Sequence, residues 1–178
     1  MSAVGKTTVA KSIAKKFNLT YYSGGDALKD LATKKGYDPG GVDWWDTQKG
    51  MDFLKERSRN HSFDKEVDKM LIKKIKQGSV VITSYSLPWI TNLGIKIWLK
   101  ASPENRAKRM ISRDKILYNQ ALNIIKKRDQ KNKILYSNLY GINFGDDFSC
   151  FDFVISSDNL GSPSVKKIAQ SIVTEFVK

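Results

Sequence analysis

Residues Met1–Thr8 read MSAVGKTT, and the stretch KTTVAKSIAKKF at 6–17 continues directly from them. Val9, Ile13, Ala14 and Phe17 recur at helical spacing, which puts Gly5, Lys6 and Thr7 at the first turn of an amphipathic helix. Gly5-Lys6-Thr7 is also the second half of the phosphate-binding loop G-x-x-x-x-G-K-[ST]. In that loop, successive backbone N–H groups and the helix N-terminus cradle phosphate oxygens. Ser2, Ala3, Val4, Gly5, Lys6, Thr7 and Thr8 are therefore the candidate nucleotide-binding residues. Lys6 would reach the β- and γ-phosphates of ATP, and the Thr7 hydroxyl would ligate Mg²⁺. The motif's first glycine falls one position ahead of Met1, and no strand leads into the loop. The expectation is a chain that starts at an internal methionine, with the first, central strand of its sheet missing from the N-terminus.

Outward from the loop, strands alternate with helices. A short strand is expected at 19–22, and Asp26 is expected to cap a helix running to about Lys35. Pro39, Gly40 and Gly41 mark a loop, after which helical patterns cover 44–59 and 64–77 until Gly78. SVVIT at 79–83 and IKIWL at 95–99 are apolar, β-branched runs typical of buried parallel strands. Ser102 caps a helix with Pro103 in its first turn, and a charged helical region extends from 103 to 140 with a break near Lys115. A last strand at 151–156 precedes a helix from Ser162, whose expected core face is Val165, Ile168, Ala169, Ile172 and Phe176. The pattern predicts an α/β domain with a parallel sheet flanked by helices and ligands at the carboxyl ends of the strands.

A length of 178 residues suits one domain spanning 1–178. The single Cys150 excludes an internal disulfide and a multi-cysteine zinc site, and reads as an inert core thiol. No 18-residue apolar run spans a membrane, and no leader opens the chain, so a cytoplasmic protein without membrane contact is expected. The net charge of +13 calls for anionic partners. Only six of the 31 basic residues are Arg, and four of those lie between 106 and 128. Arg106, Arg109 and Arg113 are spaced i, i+3, i+7 on one helix face, with Arg128 beyond the break. Two joined helices could fold these guanidinium groups over a transferring phosphoryl, which needs positioning and charge neutralisation more than covalent chemistry. Arg106 equally suits a salt bridge to Glu104, Asp114 or Asp129. His61, the only histidine, reads as a surface residue; Trp44 and Trp45 suit either helix packing or base stacking.

Several segments together resemble the archaeal form of cytidylate kinase, a nucleoside monophosphate kinase with the phosphate-loop fold. They are GKTTVAKSIAKKFNLTYYSGGD, FDKEVDKML, IKIWLKASPENRAKR, KKRDQKN with YGIN after it, and FDFVI. The resemblance covers nearly the whole chain. It implies a five-stranded parallel sheet, a helical insert for the monophosphate at about 36–77 and a small mobile lid at about 113–128. It also implies transfer of the ATP γ-phosphoryl to CMP or dCMP with Mg²⁺. By the same resemblance Ser23, Gly24, Gly25 and Asp26 edge the monophosphate site, and Lys29 stands where the family has a phosphate-binding Arg. Arg109 and Arg113 match the helix entering the lid and Arg128 its far side, which makes them, with Lys6, the candidate catalytic residues. Trp89 matches the family's tryptophan after the second strand here and joins the candidate substrate residues.

At 83–89 the chain departs from that family. Thr83 stands in place of its acidic residue and Tyr85 in place of its arginine. Tyr85, two residues beyond a strand's carboxyl end, is expected to face the monophosphate, where its hydroxyl donates one neutral hydrogen bond. Three readings stay open: other groups compensate, the acceptor is a different small molecule, or the chain is a degenerate, nucleotide-dependent RNA-binding or assembly factor. Nucleic acid is not the expected partner, since no glycine-arginine tract or aromatic RNA-stacking motif is present. Small nucleotides and a monomer are the default.

Overall fold

A computed structural model describes residues 1–39, 49, 52, 53, 56, 57 and 60–177, without the side chain of Arg113. Most of the expected helix at 44–59, including Trp44 and Trp45, lies outside the described residues. Helix α1 (Lys6–Phe17) buries Val9, Ala10, Ile13 and Ala14, and Asn18 closes it in the left-handed conformation at φ 52°. Strand β1 (Thr20–Ser23) runs into α2 (Gly24–Lys34). The cap of α2 is Ser23 rather than Asp26. Ser23 Oγ accepts the Asp26 N–H at 3.1 Å while the Asp26 carboxylate accepts the Ser23 N–H at 2.9 Å, a reciprocal capping box.

Helix α3 (Ser62–Gln77) stops at Gly78, whose φ of 78° favours glycine, and β2 (Val80–Thr83) follows. One helical turn, α4 (Leu87–Ile90), leads on to β3 (Ile97–Lys100). Helix α5 (Pro103–Asp114) starts on Ser102, whose hydroxyl accepts the Asn105 N–H. Lys115 in the left-handed region turns the chain into α6 (Tyr118–Tyr140), so the expected break is a three-residue turn at 115–117. Strand β4 (Phe153–Ser156) and helix α7 (Ser162–Phe176) complete the order.

The four described strands form two parallel two-stranded ladders, β1 with β2 (Thr20 opposite Val80) and β3 with β4 (Ile97 opposite Phe153). Side chains join the two halves. Val9 and Ile13 of α1 pack with Leu99, Ile155, Val165, Ala169 and Val173, and Val81 of β2 and Ile97 of β3 rest on the same cluster. Each large aliphatic buried there contributes about 1.5–3 kcal/mol before chain entropy is subtracted. The inward face of α7 is Val165, Ala169 and Val173, with Ile172 at its edge; Ile168 (39% exposed) and Phe176 (57%) stand outside. The expected face was thus rotated by about one residue, because Val173 was not counted in it. Among the described residues no helix is long and apolar enough to cross a membrane.

Candidate active site

The loop ahead of α1 alternates conformations, with Ala3 at φ 54° and Gly5 at φ 96°. Such alternation makes a concave nest of backbone N–H groups suited to an anion. A side chain at position 5 would meet no neighbour, so glycine is needed there for its dihedral angle alone. Val4 is buried in the main core and anchors the loop. Lys6 is half-buried and its Nζ donates to the Met1 carbonyl. Burial pulls its ammonium pKa down to about 8. Thr7 and Thr8 are exposed on the first turn. Ser2 Oγ is buried without a hydrogen-bond partner among the described residues, an orphaned group in the wall of the nest. These residues fit a polyphosphate.

The arginines take separate places. Arg106, 1% exposed, forms a two-pronged ion pair with Asp129 of α6 (Nη1 to Oδ1 3.1 Å), and Nη1 also donates to the Ser2 carbonyl at 3.5 Å. Arg109 turns away from the hairpin. Its Nη1 donates to Ser157 Oγ at 3.0 Å and its Nη2 to the Ser157 carbonyl at 2.7 Å. There it walls a cavity of about 410 Å³ with Ala3, Gly5, Leu160, Gly161 and Val165, directly beside the nest. Both terminal nitrogens of this guanidinium are thus fixed on Ser157 at the cavity wall. Arg113 lies in the last turn of α5, and its side chain is outside the described set. Arg128 is exposed on α6, close enough to bear on the Tyr85 hydroxyl.

On the other side, Ser23 and Asp26 spend their side chains on each other. A Cβ on Gly24 would lie 3.8 Å from the Thr83 carbonyl, so the start of α2 sits beside the carboxyl end of β2. Gly25 is exposed and Lys29 half-buried on the same helix. Thr83 Oγ1 is 3.2 Å from Tyr21 OH.

Two of the expected substrate residues pack in one aromatic cluster. Trp89 packs edge-on to Phe151 (4.9 Å between centroids) and Trp98 (5.7 Å), inside an aromatic cluster. The single turn α4, which the sequence reading lacked, points it inward. Tyr85 packs on Tyr136 and Phe144, with its ring against Lys6 instead of standing free toward an acceptor. Cys150 is half-buried, and burial raises its thiol pKa. His61 is exposed, as expected.

Sequence reasoning missed a polar cluster behind this wall. Asp68 of α3, 5% exposed, accepts from Ser86 Oγ (2.6 Å) and Tyr140 OH (2.8 Å); burial raises its pKa, opposed by those two bonds. One turn earlier Asp64 pairs with Arg57 at 2.6 Å. The i, i+4 spacing of Asp64 and Asp68 on one face of a lysine-rich helix was the available signal. Among the described residues no group of three or more His, Cys, Asp or Glu could hold a metal ion. A hydroxyl such as Thr7, with phosphate oxygens and water completing the shell, suits Mg²⁺ bound together with a nucleotide.

This geometry meets its counterparts in known proteins. The profile of the cytidylate kinase-like family matches residues 1–159. The cytidylate kinase of Pyrobaculum islandicum is 37% identical over 158 residues, covering 88% of this chain and 79% of that protein. The cytidylate kinase of Methanocaldococcus jannaschii is 30% identical over 183 residues, covering 100% and 96%. Among solved structures, an uncharacterised protein from Eubacterium ventriosum superposes with a TM-score of 0.68 at 18% identity, over 97% of this chain and 93% of that one. Shikimate kinase from Acinetobacter baumannii, in complex with shikimate, gives 0.53 at 17% identity over 99% and 90%. The two solved structures share the fold, and the sequence matches go further: this chain belongs to the cytidylate kinase-like family.

Proposed function

We propose that the protein is a cytidylate kinase, an ATP-dependent phosphotransferase with CMP or dCMP as acceptor. The observation that carries this reading is the nest at 3–5, with Lys6 behind it, opening beside the cavity walled by Arg109. Within a family named for cytidylate kinase, that is a place for a nucleoside triphosphate. The Arg109 guanidinium supports the adenine, and the backbone of 2–6 with Lys6 holds the phosphates. Thr7 would hold Mg²⁺, which would supply charge neutralisation on the polyphosphate. An ionised CMP oxygen forms the new bond to the γ-phosphorus as the β–γ bridging bond breaks and ADP leaves. No protein base is required, because the acceptor oxygen carries no proton. Arg128, and Arg113 from the end of α5, would meet the transferring group as the 115–117 turn closes and excludes water. Ser23, Gly24, Gly25, Asp26 and Lys29 would border the acceptor.

The same reading takes 1–178 as one kinase domain, with 36–77 as the monophosphate insert and 113–128 as the lid, acting as a cytoplasmic monomer on small nucleotides. The separate ladders leave β2 and β3 each with an unpaired edge on one shared core, which supports a place for one further parallel strand between them. A coupled assay for ADP formation across CMP, dCMP, UMP, AMP and GMP tests the proposal. CMP and dCMP should be preferred, and no turnover of either would overturn it. Thr83, beside the start of α2, favours one second reading, a kinase for another small acceptor, which the same assay would expose.

A further inference from the structure

Tyr85 stands where the resemblance implies an arginine, and the structure gives it Lys6 as a neighbour. Lys6 Nζ lies 4.6 Å from the centroid of the Tyr85 ring. That ring is fixed from behind by Tyr136 at 6.2 Å and by Phe144, edge-on at 5.8 Å. The Lys6 ammonium is thus held between the Met1 carbonyl, to which it donates, and the negative face of an aromatic ring.

We propose that Tyr85 is a positioning residue for Lys6: its ring face holds the phosphate-loop lysine extended for the β- and γ-phosphates, and its hydroxyl has no part in binding the acceptor. The surroundings favour a neutral partner. The groups acting on Lys6 are the Met1 amine, Arg106 and Asp129, and Arg128 bears on Tyr85 itself. Asp129 is already committed to Arg106. A ring attracts the ammonium without adding a charge that would compete for the polyphosphate. Restricting a long, rotamer-rich side chain before the ligand arrives lowers the ordering cost of binding. The proposal rests on the nucleotide-binding half of the reading above and not on the identity of the acceptor.

The test is calorimetric titration of ATP, ADP, AMP and CMP into the wild type, Tyr85→Phe and Tyr85→Leu. Phenylalanine keeps the ring, so ATP and ADP affinity should stay within about twofold of wild type. Leucine removes the π-face, and ATP and ADP should bind between about twofold and thirtyfold more weakly. AMP lacks the β-phosphate, so its affinity should not move. Leucine equal to wild type, phenylalanine as weak as leucine, or AMP falling in parallel with ATP would each overturn the proposal. So would a wild type that binds ADP no better than AMP, or a loss of CMP binding confined to Tyr85→Phe. If the nucleotide series behaves as expected while CMP is not phosphorylated, the acceptor assignment fails and the role of Tyr85 stands.

Discussion

Arg106 of α5 and Asp129 of α6 are locked together across the hairpin, and the same guanidinium reaches the carbonyl of Ser2 in the phosphate loop. One buried ion pair therefore ties the two arms of the hairpin to the loop they flank. Removing a single partner leaves a buried charge alone, which costs about 3–5 kcal/mol. Asp129→Ala should lower unfolding stability by about that amount in urea titrations. The double variant Arg106→Met/Asp129→Leu should recover most of it. Equal losses in the single and double variants would show that packing and not charge is responsible.

Arg109 and Arg128 should separate kinetically. Arg109 rests on Ser157 beside the cavity, so Arg109→Ala should raise KM for ATP by about five- to thirtyfold, the loss of a stacked cation, with a smaller effect on kcat. Arg128 is exposed on the hairpin's second helix, and Lys cannot reproduce its planar fork. Arg128→Lys should lower kcat about tenfold or more at little cost in KM. Steady-state kinetics of both variants decide the matter, and matching profiles would refute the division of labour.

Asp68 should leave a mark on the pH dependence of stability. Burial lifts its folded pKa above the ordinary value of 3.8, so the folded state keeps this proton longer than the unfolded chain does. Its favourable contribution is full below 3.8 and is lost as pH rises through the folded pKa. Asp68→Asn should flatten that part of the stability profile relative to wild type. Asp68→Ala strands the Ser86 and Tyr140 hydroxyls and should cost about 1–3 kcal/mol for each one left unsatisfied. Urea melts between about pH 4 and 7 compare the three proteins.

On sequence grounds, restoring arginine at position 85 would be expected to tighten CMP. The contact with Lys6 points the other way. Tyr85→Arg would set a guanidinium beside Lys6 and within an aromatic cluster, so ATP affinity and melting temperature should both fall. Tighter CMP binding with unchanged ATP binding would show that side chain 85 faces the acceptor after all.

What could be read from the sequence was local. The start of α1 on Gly5-Lys6, the Ser102-Pro103 entry to α5, the stop at Gly78 and the turn near Lys115 all follow from capping and dihedral preferences within a few residues. The partners of the arginines were not local. Arg109 meets Ser157 across 48 residues, a partner that helical spacing does not indicate, whereas the Arg106–Asp129 pair across 23 residues is one of the salt bridges the sequence allowed without choosing among them. The packing of Trp89 and Tyr85 was not legible for a related reason. Their direction depends on a four-residue turn, LPWI, too short to show a period. Asp68 escaped notice because an acid among the lysines of α3 looks like a solvated charge until Ser86 and Tyr140 close over it.

The division of the strands into two ladders also bears on how the molecule opens. Among the described residues the ladder hydrogen bonds run within each pair, and side chains connect β1–β2 with β3–β4: those packed on α1 and α7, the Trp89–Trp98 contact and the Tyr140–Asp68 hydrogen bond. With no strand paired into it, such a seam can part without breaking either ladder, so the two halves of this chain can behave as separate cooperative units. Amide hydrogen exchange should then sort into two protection classes. Ile82 should exchange with Tyr22, and Leu99 with Ile155, while the buried amides of α1 stay protected until both halves have opened.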